Sequence, residues 1–157
     1  VDYRLAPETT WSGSLEDNYA ALLWMNAHAA EIGVDPSRIA VMGESAGGGH
    51  AALLSLAVRD RGEVSLAFQA LVYPMIDDRA GTSRKLAEHI GWFDLFVEEN
   101  VEYARRLNAA GVPTELLVMP GAFHGFDMFL PDAAISQRFT AAKVAALRRG
   151  LGMASGK

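Results

Sequence analysis

The sequence predicts an α/β fold in which helices flank a mostly parallel β-sheet. Short apolar, β-branched runs alternate along the chain with segments whose apolar residues recur at helical spacing, and this alternation predicts the class. The length of 157 residues is that of one domain, and there are no internal repeats and no low-complexity segments. We assign residues 1–150 to that domain and residues 151–157 to a C-terminal tail.

The first part of the chain predicts a strand end, a helix and a strand. Residues 1–8 look like the end of a strand that runs into a turn at a proline. Ser14 is a candidate N-cap for a helix that continues toward Gly33, a suitable residue just past a helix end. Residues 39–42, Ile-Ala-Val-Met, have the apolar character of a buried parallel strand.

The rest of the chain continues the alternation of helices and strands. Residues 46–60 predict a helix that ends at Arg61-Gly62, and residues 68–73 predict a strand. The remaining predicted elements are a helix at 97–110, a strand at 115–119 and a helix at 132–149. Alternating elements of this kind indicate βαβ units with right-handed crossovers.

Composition excludes several classes of function. The net charge of −5 argues against nucleic acid and anionic membrane surfaces as partners. The chain has no cysteine, which excludes disulfides and thiolate metal sites. No apolar run has transmembrane length and no signal-peptide pattern opens the chain, so we expect a cytoplasmic protein without stable membrane insertion.

The central motif is Gly43-Glu44-Ser45-Ala46-Gly47, which fits G-x-S-x-G and lies between the predicted strand at 39–42 and a helix. This context is typical of a nucleophile elbow, where a serine sits on a sharp strand-to-helix turn. A β-carbon at either motif glycine is expected to crowd the turn. The helix start offers N–H groups to a developing oxyanion. The elbow residues around Ser45 are Gly43, Glu44, Gly47 and Gly48.

A serine nucleophile needs a base to take its proton. Of the four histidines, His28 and His50 fall in predicted helices, and His89 lies in a stretch without a clear period. His124 lies between glycines in the loop after the strand predicted at 115–119, and we predict it to be the base.

The base in turn needs a carboxylate to orient it. Asp94 precedes a predicted helix in a loop-like setting, thirty residues before His124. Asp77 and Asp78 also follow a predicted strand and are alternatives. Position alone therefore favours Asp94 and leaves the other two open.

Other motif classes do not fit the chain. The glycines match neither G-x-G-x-x-G nor the Walker A pattern, and there is no H-E-x-x-H. The acidic pair at 77–78 is more typical of a solvated turn than of metal ligands. We therefore predict neither a metal nor a cofactor.

With these residues in place, the chain resembles the hormone-sensitive-lipase-like family of α/β-hydrolase esterases. The resemblance covers most of the chain in the family's order. The blocks that carry it are Asp2–Glu8 (D-Y-R-L-A-P-E), Asp35–Gly48 around Ser45, Tyr73–Asp77, Asp94–Asn100 and Gly121–Phe126 around His124.

This resemblance implies a carboxylic-ester hydrolase that acts on short acyl esters of small molecules, without a cofactor. It implies an acyl-enzyme mechanism with Ser45, His124 and Asp94 as the triad, and it favours Asp94 over Asp77 and Asp78. The N–H of Ala46 is then one oxyanion-hole donor.

The sequence also departs from the family pattern. The H-G-G-G oxyanion motif that the family carries upstream of D-Y-R-L-A-P-E is not in the printed sequence, and residues 79–91 are shorter than the family's cap and strand. We therefore expect a partial α/β-hydrolase fold that lacks the first strands and most of the cap, and an N-terminally truncated, internally shortened and weakened esterase. The alternatives are a catalytically impaired remnant that binds a partner through its uncovered sheet edge, or an acyltransferase or peptidase on the same fold. The same exposed edge would allow the chain to form a homo-oligomer.

Overall fold

The computed structural model describes residues 1–76 and 96–153. Five helices, two strands and one short 3₁₀ turn, at Pro36–Arg38, are found within these ranges. The elements in chain order are α1 (Trp11–Ala27), β1 (Ala40–Glu44), α2 (Ala46–Arg61), β2 (Phe68–Val72), α3 (Val97–Ala109), α4 (Phe126–Phe129) and α5 (Ala134–Gly150). Helices flank a small parallel sheet, so the predicted α/β class is confirmed.

The sheet is the pair β1 and β2, which run parallel with α2 as the connection between them. The register aligns Ala40 with Phe68 at one end and Glu44 with Val72 at the other. Both strands therefore end at the same edge, and the residues that follow them meet there. These residues are Ser45 after β1 and Tyr73 after β2.

The hydrophobic core lies between α1, α2 and the start of β1. Its buried members are Tyr19, Leu22, Ile39, Leu54 and Val58, each between 3% and 7% exposed. Full burial of side chains of this size stabilises a fold by about 1.5–3 kcal/mol each. The core thus holds α2 against the sheet and fixes the direction in which that helix begins.

The segment before α1 is not a strand, so the prediction of a strand end at 1–8 is wrong. None of the described residues pairs with it in a ladder, and a side-chain interaction holds it instead. Arg4 Nη2 lies 2.7 Å from Asp17 Oδ1, and the Arg4 backbone N–H donates to Asp17 Oδ2 at 3.0 Å. These hydrogen bonds lower the pKa of Asp17 to about 2.

The prediction for the ends of the first helix is also wrong. Helix α1 begins at Trp11 after Thr10, so Ser14 lies inside the helix and is not its N-cap. The Ser14 hydroxyl is buried and donates to the Arg4 carbonyl oxygen at 2.7 Å. At the other end the helix stops at Ala27, six residues before Gly33, and the residues between them form turns.

The strand predicted at 115–119 is absent as well. These residues are irregular, and no described residue forms a ladder with them. Leu116, Leu117 and Val118 are 47–48% exposed, whereas a central strand would bury such side chains. The prediction of a strand here is therefore wrong: the residues have β-like composition, but the hydrogen-bonding neighbour that a strand requires is not among the described residues.

Several other predictions are confirmed. Helix α2 ends at Arg61, and Gly62 follows it in a left-handed conformation with φ of 66°, as the Arg61-Gly62 signal indicated. The strand at 68–72 and the helices α3 and α5 lie where they were predicted. The stretch 80–89 and residues 154–157 of the predicted tail lie outside the described residues. None of the helices in the described ranges combines the length and apolarity needed to cross a bilayer.

Shortening a core side chain on α2 tests this packing. Leu54 is 7% exposed, and Leu54→Ala removes three buried carbons and leaves a cavity. We expect a loss of about 2–5 kcal/mol in the free energy of unfolding, measured by urea denaturation followed by circular dichroism. The matched control is Leu56→Ala on the same helix, where the side chain is 36% exposed and the loss should be much smaller.

Candidate active site

Ser45 occupies the turn between β1 and α2 in a backbone conformation that side chains rarely adopt, with φ of 54° and ψ of −119°. Three backbone hydrogen bonds hold it there. Its N–H donates to Val72 O at 3.0 Å, and its C=O accepts from the N–H groups of Gly49 and Met75 at 3.1 Å. The serine is thereby fixed to β2 as well as to its own helix, which keeps a strained residue in place.

Close packing around this turn explains why three of its positions are occupied by glycine. A β-carbon on Gly43 would overlap the Gly47 carbonyl, and one on Gly49 would overlap the Met75 carbonyl oxygen. A β-carbon on Gly48 would lie 2.7 Å from Pro74 Cβ. The space at Gly47 itself is open to 4 Å, so the prediction that Gly47 avoids crowding is wrong. Close approach of α2 to the end of β2 depends on Gly48 and Gly49 instead.

His124 lies on the loop that precedes α4, and its Nε2 is 2.9 Å from Ser45 Oγ. Two glycines of this loop have left-handed backbones, Gly121 with φ of 78° and Gly125 with φ of 75°. Phe126 follows, is 4% exposed and contacts Phe139 of α5 with ring centroids 5.2 Å apart. A buried aromatic contact thus anchors the loop two residues after the histidine, and the imidazole is brought to the serine across 79 residues of sequence.

Two aromatic rings flank the imidazole of His124. The Tyr73 ring lies edge-on with centroids 4.6 Å apart, and the Phe96 ring lies edge-on at 5.1 Å. Tyr73 has φ of 34°, a second left-handed residue that is not glycine. Conformations of this kind are unfavourable by about 1–3 kcal/mol and cluster at functional sites. Sequence reasoning missed both rings as site residues, although Tyr73 stands at the strand end that the resemblance had already marked.

The other predicted residues lie in different places. Ala46 is the first residue of α2, where backbone N–H groups have no acceptor within the helix. His28 follows the end of α1, with its Nδ1 2.8 Å from Trp24 O, and His50 lies on α2 against Tyr3. Asp94, the predicted acid, its alternatives Asp77 and Asp78, and His89 lie outside the described residues.

A charged group that sequence reasoning also missed lies beside this site. Lys143 of α5 places its Nζ 2.8 Å from Glu44 Oε1 and 3.5 Å from Asp127 Oδ2. Burial lowers the pKa of Lys143, but the hydrogen bonds and charges of the two carboxylates outweigh burial and raise that pKa overall. The sequence could have marked the two carboxylates, since Glu44 precedes Ser45 and Asp127 follows His124 by three residues. Nothing in the sequence pattern pointed to Lys143.

The geometry supports one kind of chemistry. A serine hydroxyl within hydrogen-bond distance of an imidazole nitrogen can transfer its proton to that nitrogen and attack an electrophilic carbon. Within the described ranges, no three His, Asp or Glu side chains come together in a way that could hold a metal ion. The arrangement of elbow serine and loop histidine, at the carboxyl edge of a parallel sheet, defines the α/β-hydrolase class.

Comparison with known proteins agrees with this class. The sequence profile described as "alpha/beta hydrolase fold" matches residues 1–92 and 88–128. The chain therefore belongs to this family, the hormone-sensitive-lipase-like branch of the α/β-hydrolases.

Curated relatives and solved structures extend the likeness to nearly the whole chain. Carboxylesterase NlhH of Mycobacterium tuberculosis is 33% identical over 200 aligned positions, which cover 96% of this chain and 63% of NlhH. The structure of a bacterial heroin esterase superposes with a TM-score of 0.88 at 38% identity, over 95% of this chain and 63% of that one. EstE1, a thermostable carboxylesterase from a metagenomic library, gives 0.86 at 29% identity, over 96% and 68% of the two chains.

Two features of these matches concern length. The chain spans about 63% of the length of NlhH and of the heroin esterase. The alignment with NlhH is also longer than the 157 residues of this chain, so NlhH carries residues within the aligned region that this chain lacks. The two profile matches overlap at residues 88–92, close to the stretch that the sequence had indicated as shortened.

The different surroundings of two elbow glycines give a direct test of this site. Gly43→Ala forces a methyl group into the Gly47 carbonyl, and we expect a loss of at least about 1–3 kcal/mol in the free energy of unfolding. Gly47→Ala should be neutral or slightly stabilising, because its methyl group enters open space and alanine favours a helix. Urea denaturation of both variants measures the difference, and equal losses would contradict the packing described.

Proposed function

We propose that this chain is a serine-type carboxylic-ester hydrolase that forms an acyl-enzyme with small-molecule esters. The observation that carries the proposal is the 2.9 Å approach of Ser45 Oγ to His124 Nε2 on a nucleophile elbow. The names of the relatives support the same chemistry, since NlhH is a carboxylesterase and Esterase LipI of M. tuberculosis is 47% identical over 74 residues.

In this proposal His124 takes the proton of Ser45 as the hydroxyl oxygen attacks the ester carbonyl. The C–O bond to the alcohol breaks, and His124 returns the proton to that oxygen as the alcohol leaves. Water then repeats the sequence on the acyl-enzyme, which releases the acid and restores the serine hydroxyl. The Ala46 N–H is proposed as a donor to the carbonyl oxygen, because the serine's own N–H already donates to Val72 O.

The surroundings of the imidazole support its role as the base. Tyr73 and Phe96 contact the ring edge-on from the side, and Phe126 anchors the loop behind it. A ring held in this way presents one nitrogen to the serine in a fixed direction. We propose Asp94 as the carboxylate that orients the imidazole, with Asp77 and Asp78 as the alternatives.

Turnover of p-nitrophenyl acetate and p-nitrophenyl butyrate tests the nucleophile and the base. We expect Ser45→Ala and His124→Ala to reduce kcat by about 10⁴-fold or more, because each removes a member of one catalytic unit. A fluorophosphonate probe should label the unsubstituted chain rapidly and Ser45→Ala not at all. Equal turnover by the chain and Ser45→Ala would remove Ser45 from the mechanism and favour a non-catalytic role.

The acid is tested by three single variants, Asp94→Asn, Asp77→Asn and Asp78→Asn. Loss of the orienting carboxylate leaves the imidazole in the wrong tautomer, so we expect Asp94→Asn to reduce kcat by about 10⁴-fold. The other two should stay within a few-fold of the unsubstituted chain. A large loss at Asp77 or Asp78 instead would move the assignment to that residue.

A further inference from the structure

Four polar side chains close to the Ser45–His124 pair connect four separate segments of the chain. We call Glu44, Lys143, Asp127 and Tyr73 the ionic bridge. Lys143 Nζ contacts Glu44 Oε1 at 2.8 Å and Asp127 Oδ2 at 3.5 Å, and Tyr73 Oη donates to Asp127 Oδ1 at 3.1 Å. The bridge therefore links β1, the residue after β2, α4 and α5 beside the site.

The bridge is sheltered from solvent at its centre. The side chains of Lys143 and Asp127 are 18% and 7% exposed, whereas Glu44 is 34% exposed. Salt and water screen sheltered charges less than surface charges, so these contacts hold their geometry more firmly than ordinary surface ion pairs. Loss of the cation would leave the buried Asp127 carboxylate without its counter-charge, which is strongly unfavourable.

The two carboxylates of the bridge lie close in sequence to the two reacting groups. Glu44 is the residue before Ser45, and Asp127 follows His124 by three residues on the same loop and helix. The Tyr73 ring, whose hydroxyl binds Asp127, contacts the imidazole of His124 edge-on. A path of contacts therefore runs from the serine turn through Lys143 to the histidine loop and returns through the 2.9 Å Ser45–His124 contact.

Resting on the proposed function of Ser45 and His124, we propose that Lys143 is a positioning residue that fixes the histidine loop against the nucleophile turn. It does so by pairing with Glu44 on one side and Asp127 on the other. Lys143 itself contacts neither reacting atom. Its effect is on the distance between them, and misplacement of about 1 Å can reduce turnover by about 100-fold.

The test compares Lys143→Met, which keeps the aliphatic stem and removes the charge, with Lys143→Arg, which keeps the charge. We expect Lys143→Met to lower kcat for p-nitrophenyl acetate by about 10- to 100-fold per folded molecule, with KM changed less than about 2-fold. Lys143→Arg should recover most of kcat. Arg138→Met, an exposed position on the same helix, is the matched control and should leave both constants unchanged.

A second measurement does not depend on activity. The imidazole Cε1–H signal of His124, assigned by its absence in His124→Gln, is followed by NMR in the same variants. We expect the signal to shift or broaden in Lys143→Met and to return in Lys143→Arg. If the unsubstituted chain is no faster than Ser45→Ala, the proposed function fails, and this signal alone still decides whether Lys143 positions the imidazole.

Two results would overturn the positioning role. One is an unchanged His124 signal in Lys143→Met together with an unchanged kcat per folded molecule, which would leave Lys143 with a purely stabilising role. The other is a loss that Lys143→Arg does not recover. Should Lys143→Met fail to fold, Asp127→Asn keeps the size of that side chain and removes the charge that pairs with Lys143 on the histidine side. The same shift in signal and a smaller loss of kcat are then expected, and no change in either rejects the proposal.

Discussion

The parallel pairing of β1 with β2 is the constraint on which the site depends. Five residue pairs, from Ala40–Phe68 to Glu44–Val72, bring the carboxyl ends of both strands to one edge of the sheet. The residue after each strand then adopts a left-handed backbone, Ser45 with φ of 54° and Tyr73 with φ of 34°. The sheet register thus places Ser45 and Tyr73, the aromatic neighbour of His124, side by side. A shift of one residue in either strand would separate them.

The strain at Ser45 is matched by specific backbone contacts. The Ser45 N–H donates to the last residue of β2, and its carbonyl accepts from both α2 and the segment after β2. Unfavourable conformations persist only where the surroundings over-determine them. Here α2 approaches so closely that Gly48 and Gly49 meet Pro74 and the Met75 carbonyl, and a side chain on either glycine would push the helix away.

The parts of the fold that sequence predicts are those that depend on local chemistry. The apolar run before Ser45, the helix signals and the left-handed glycine at position 62 act within a few residues, and the structure follows them. The strand predicted at 115–119 and the strand end at 1–8 failed because a strand depends on a neighbour that its own sequence does not specify. In the same way, His124 could be predicted from its loop, but Lys143 could not, because its partners are distant in sequence.

The two halves of the Ser45–His124 pair are held by different means, and this has a consequence for how the site can respond to a ligand. Backbone hydrogen bonds and glycine packing hold the serine in a fixed position. Side chains hold the histidine loop, through the Phe126–Phe139 contact and the ion pairs of Lys143. A loop held by side chains can move when those side chains change rotamer, whereas moving the serine requires backbone hydrogen bonds to break. We therefore expect the loop that carries His124, and not Ser45, to move when the site takes up a bulkier molecule.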